Sequence, residues 1–264
     1  MKTFKKALIA VAAVAAAQFA QAGVLFGFND TSIGGNNNFT ADKIVLTSQG
    51  SANITITDNG DGTLSNGFND AFAEFGGVAG VNFRKGAAGV PAAISGLGTD
   101  YELFATYTLG GPVGLVGPNI QAIMTTGSAI IYYDTVVDGL LTGGSTVIGN
   151  LQNPVSGDCA ITAASAFAQG SCKINFDFAA VAGIWSYGAV DASTVLTDFM
   201  TMDINVDNLT VAGGFVLPNL NPGGNTLLTA DHDGSAVIEL PEPASLALVG
   251  LGLMAAGAAR RRKA

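Results

Sequence analysis

The chain is short of charge. Only 12% of its 264 residues are Asp, Glu, Lys or Arg, about half the share usual in globular chains. Polar work therefore falls to Asn, Thr, Ser and the backbone. Bases are scarcer still in the middle. Lys2, Lys5 and Lys6 stand at one end and Arg260, Arg261, Arg262 and Lys263 at the other, leaving Lys43, Arg84, Lys85 and Lys173 between them. Residues 23–240 hold 19 of the 20 acids against those 4 bases, a balance of −15. Phosphate backbones are bound through Lys/Arg clusters that release counterions, so nucleic acid is excluded as a partner.

Reactive side chains are equally scarce. The single histidine, His232, sits in ADHDGS between two aspartates and reads as a turn residue, which leaves a Ser or Cys triad without an obvious base. No G-x-S-x-G, H-E-x-x-H, phosphate loop or dinucleotide fingerprint occurs. Glu74 and Glu102 would suit glycoside hydrolysis only if the fold set two carboxyl groups at catalytic separation. The expectation is a protein that is not an enzyme. Cys159 and Cys172 are the only cysteines. Zinc would want about four ligands, so the simplest use of two exported thiols is a disulfide worth about 3 kcal/mol.

What the chain does have is period-two alternation. Met200, Met202, Ile204 and Val206 share one face opposite Thr201, Asp203, Asn205 and Asp207, as a half-buried strand requires. The rhythm recurs in Ile174, Phe176 and Phe178, in Tyr101 to Leu109, and in Ala236, Ile238 and Leu240. Strands with water on one side belong to antiparallel sheets. Turn signals fall between them: SIGGNNN, TDNGDGT, LGGP, LTGGS and NPGGN. Helical signals are few. Ala160–Gln169 could be capped by Gly170, and Asp191–Phe199 could start on Asp191. The fold expected is all-β: a single antiparallel β-sandwich over residues 23–240, with one or two short helices.

Two ligand types deserve placing. Asp58, Asp61, Asp231 and Asp233 lie in acidic, Gly-containing stretches that could offer hard oxygens to Ca²⁺, although neither stretch fits the twelve-residue calcium loop. Calcium, weakly held, is the one cofactor to consider. Trp185 and Tyr187 are two apart and flanked by Gly183 and Gly188, so they could share a strand face and stack on sugars, or pack in the core.

The two ends read as addresses. Residues 1–22 combine a basic start, MKTFKK, an apolar run from Ala7 to Ala17, and Ala20 and Ala22 spaced as A-x-A, so cleavage is expected before Gly23. Residues 241–264 begin with Pro241, Glu242 and Pro243. Uncharged residues follow from Ala244 to Ala259, reaching about 24 Å as a helix against the roughly 30 Å of a bilayer core. Arg260, Arg261 and Arg262 close the span, can snorkel to its edge, and predict a cytoplasmic C-terminus with the acidic body outside.

The Pro-Glu-Pro tripeptide, the Gly/Ala/Leu span, the Arg run and the N-terminal signal together resemble the PEP-CTERM sorting signal of exported proteins in exopolysaccharide-making Gram-negative bacteria. The resemblance implies an inner-membrane precursor that an exosortase, a membrane cysteine peptidase, processes for the cell surface or matrix. GLGTDYELFATYTLGG, ADKIVL, the cysteine pair and SAVIELPEP are similar to the flocculation-associated PEP-CTERM group. That likeness implies a role in exopolysaccharide adhesion, biofilm or flocs, with the exopolysaccharide matrix as partner. A carbohydrate-binding module is the alternative.

Overall fold

The computed structural model describes residues 25–162, 168–194, 198–214 and 217–239. It begins with β1 (Phe26–Asn29), β2 (Asn38–Ala41), β3 (Lys43–Ser48), β4 (Ala52–Thr57), β5 (Asp70–Lys85) and β6 (Ala88–Gly89). One helical turn, α1 (Ala92–Ser95), then leads into β7 (Glu102–Val116), β8 (Asn119–Ile123) and β9 (Thr126–Asp134). Two long strands follow, β10 (Thr146–Thr162) and β11 (Ala168–Ala180), and then the short β12 (Trp185–Tyr187) and β13 (Val190–Asp191). The last strands are β14 (Asp198–Val211) and β15 (Asn225–Glu239). All these strands pair antiparallel, as the alternation predicts.

The large sheet has 11 strands and closes on itself. From β5 the pairing runs through β7 to β10, with β8 and β9 both bridging that step, and on through β11 and β14 to β15. Both β3 and β4 then join β15 back to β5. The sandwich layers thus run into each other on both sides, which removes most of the free edges that invite strand addition; the two-residue β6 pairs with β5 alone.

Inward residues fill the closed sheet. Leu103, Ala105, Tyr107 and Leu109 of β7, Ile174, Phe176 and Phe178 of β11, and Met200, Met202, Ile204 and Val206 of β14 are all buried. A second, four-stranded sheet, in the order β13-β12-β1-β2, brings Phe26, Phe28, Phe39 and Trp185 into an aromatic cluster with Phe83, Tyr101 and Phe178.

Local expectations fare unevenly. Ala160–Thr162 ends β10 and Ala168–Gln169 begins β11, so the Ala-rich stretch is a hairpin end and not a helix at these positions. The cross-strand partners of these residues outweigh alanine's helix propensity, which tertiary context overrides. Within Asp191–Phe199, the described helix is one 3₁₀ turn, Ala192–Thr194, and Asp198–Phe199 belongs to β14. LGGP is not a turn. Leu109–Pro112 lies within β7 where its partner changes from β9 to β8, and a Cβ on Gly111 would strike the Ile123 carbonyl. Glycine serves close backbone approach there.

Candidate functional site

The residues chosen from sequence scatter over the fold. Ala20, Ala22 and Gly23 lie outside the described residues, and so do Pro241, Glu242, Pro243, Arg260, Arg261 and Arg262. Cys159 and Cys172 face each other in the β10–β11 ladder and form a disulfide. The bridge ties two strands together and is itself buried. Replacing both cysteines by serine is expected to lower unfolding stability by about 3 kcal/mol through loop entropy, read from denaturant titration. An unchanged midpoint would show the ladder needs no staple.

Trp185 and Tyr187 correct the sugar-stacking expectation. They do share a strand face, but it is the inner one: Trp185 is 1% exposed and Tyr187 8%. The indole N–H donates to the Ile148 carbonyl at 2.8 Å, while the ring packs on Phe26, Phe28 and Phe178. An aromatic held this way contributes core area and offers no face to a glycan.

The four aspartates are not gathered for calcium either. Asp58 accepts backbone N–H bonds from Gly60, Gly62 and Gly223. The Gly223 bond does most to hold its carboxyl below the usual range, against burial, with Gly62, Gly60 and Asp61 adding to it. Asp61 accepts from the Thr63 N–H in the same loop. Asp231 and Asp233 are in β15, not in a loop. Gly234, which suggested a turn, is paired with Ile204, and a Cβ there would strike the Asp203 carbonyl. Asp231 accepts from Ser51 and Asn208, and Asp233 from Asn205. Among the described residues no three His, Cys, Asp or Glu side chains come together to hold a metal.

Nor do Glu74 and Glu102 form a pair. Glu74 lies opposite Leu109 on β7, seven residues from Glu102, which is about 23 Å along a strand and beyond either glycosidase spacing. Glu102 instead accepts from the Gly139 N–H.

Sequence reasoning missed the interior polar cluster. His232 is 4% exposed in the middle of β15, and its Nε2 lies 2.8 Å from Glu74 Oε1. The Tyr107 hydroxyl donates to the same oxygen at 2.9 Å. Burial opposes a proton on His232, but the Glu74 hydrogen bond and charge, with the Asn205 carbonyl and Asp231, outweigh it and raise the pKa. Burial and the Glu74 charge push the Tyr107 hydroxyl up as well. A period-two count from Leu228 and Ala230 to Ala236 does put position 232 on the inner face; the flanking aspartates and Gly234 obscured it.

A second cluster anchors the small sheet. Asp30 is fully buried and accepts from the backbone and side chain of Asn37 and, at 3.0 Å, from the Tyr133 hydroxyl. Asp134 is served likewise by Val136, Thr142 and Ser145. Burial works against its charge, yet these donors pull its pKa down to about 2. A chain with few cations thus satisfies buried carboxylates with N–H and O–H donors.

The voids inside the closed sheet measure about 40 and 30 Å³. Ligand cavities run from about 300 Å³ upward, so neither of these voids is a ligand cup. The functional signal lies in the chain's end. No curated protein and no solved structure matches the chain. Residues 239–263, however, match the PEP-CTERM protein-sorting motif, and this motif makes the chain an exported protein sorted and processed by an exosortase.

Proposed function

We propose that the protein is a non-enzymatic surface or matrix component: an inner-membrane precursor is processed by exosortase, and the acidic β body acts in exopolysaccharide-associated adhesion, biofilm or floc formation. The observation that carries this reading is the sorting motif at residues 239–263, joined to a body of the kind that endures outside a cell. That body is disulfide-bonded, and its large sheet closes on itself. Its charge of −15 favours bridging to anionic polymer through divalent cations in bulk, without a built metal site. The specific form of the role rests on the likeness of GLGTDYELFATYTLGG and ADKIVL to the flocculation-associated group.

Two experiments bear on it. Deleting the gene is expected to slow settling of the producing cells and loosen their matrix; normal flocs would end the adhesion role. Replacing Pro241-Glu242-Pro243 by Ala-Gln-Ala is expected to leave an unprocessed, membrane-held precursor on an immunoblot. Processing at the wild-type rate would remove the tripeptide from the recognition step.

A further inference from the structure

Outside the closed sheet, the surface of β4, β5, β7 and β9 forms a groove of about 550 Å³, within the size range of ligand sites. Its centre is Phe75, an aromatic left 59% exposed. The register places Asn53, Phe75, Thr108 and Ser128 directly opposite one another on successive strands. With strands about 4.8 Å apart, that row runs some 14 Å across the sheet. Thr106 and Ile130 continue it in the next row, beside Gly77.

The chemistry of the lining is selective. None of its residues carries charge, on a body of −15. Lysine and arginine are absent from it, so an anionic polymer finds no partner there. Hydroxyl and amide groups, with Thr108 and Ser128 already 3.3 Å apart, match the donors and acceptors on a sugar edge. The negative face of a phenyl ring matches the C–H face of a pyranose.

We propose that this groove binds an uncharged stretch of polysaccharide lying across the strands, with Phe75 as the stacking platform and Asn53, Thr106, Thr108 and Ser128 reading hydroxyls. The proposal deepens the matrix role and rests on it for the source of the glycan. It moves sugar binding away from the buried Trp185.

The test uses protein recovered from cells producing the full chain. It is titrated against dextran, laminarin and the neutral fraction of the culture's own matrix, with alginate as the anionic comparison. Saturable binding to a neutral polymer is expected. Phe75→Ala should weaken it roughly tenfold to a hundredfold, the loss of one aromatic side chain covered on binding. Thr108→Val should weaken it less, and both variants should keep the wild-type melting temperature. The proposal is overturned if no neutral polymer binds, if Phe75→Ala binds like wild type, if alginate competes equally, or if Phe75→Ala acts by dissolving a dimer. A deletion strain that settles normally while the protein still binds glycan would remove the matrix role and leave the groove. Lost settling with a Phe75→Ala protein that binds normally would do the reverse.

Discussion

Trp185→Ala is expected to lower the unfolding free energy by about 3–5 kcal/mol, the range for removing a large aromatic from a packed core. The side chain is 1% exposed and touches three other rings, so its loss leaves a void among Phe26, Phe28 and Phe178. It also strips the Ile148 carbonyl of its indole donor. Domain stabilities are typically about 5–15 kcal/mol, so the variant should be recovered in low yield and melt early. Trp185→Phe should keep much of the packing and lose mainly the hydrogen bond. The contrast with Phe75→Ala is the informative part: one aromatic supports the fold and the other faces solvent. A Trp185→Ala protein with wild-type stability would show that β12 is not part of the core.

The second large effect concerns Glu74. Glu74→Ala leaves His232 buried without its acceptor, and breaking a buried pair by removing one partner costs about 3–5 kcal/mol. The pH dependence gives the sign. His232 has a folded pKa raised above its unfolded value near 6.5. Its contribution is therefore complete below about pH 6.5 and is lost as pH rises through the folded pKa. Melting temperature measured from pH 6 to pH 9 should fall in the wild type through that window. In Glu74→Ala the fall should be smaller, because the partner that favours the imidazolium is gone. Equal slopes for the two proteins would mean that the pair does not set the protonation of His232. Glu74→Gln keeps an acceptor and should recover part of the loss at high pH, where the neutral imidazole needs only a hydrogen bond.

Alternation carried much of the fold. The inner positions of β7, β11 and β14 are residues that period two singles out, because each strand has one face in the core and one in water. Where both readings of a residue are local, the sequence was ambiguous. Gly110, Gly111 and Gly234 look like turn glycines; they are strand residues where neighbouring backbone comes close. The Ala-rich stretch before Gly170 has the composition of a helix, but its described residues, Ala160–Thr162 and Ala168–Gln169, belong to β10 and β11. In each case the deciding partner is distant in the chain.

The candidate site divides along the same line. The sorting motif was legible because such a signal is read as a short linear segment, with composition, span length and terminal charge all local. The pairing of the two cysteines was legible because no third thiol competes. Trp185 and Phe75 were not distinguishable from sequence, since an aromatic beside small residues suits a core or a groove equally well.

By itself, then, the amino-acid order determined the C-terminal sorting motif, the β class and the scarcity of cationic side chains, all properties of neighbouring residues or of composition. Only the tertiary structure decided that His232 meets Glu74, which lies 158 positions away, that Trp185 is inside, and that Phe75 stands in a row with Asn53, Thr108 and Ser128. Those facts depend on strand register around a closed sheet, and register is set by packing and hydrogen bonding between segments far apart in the chain.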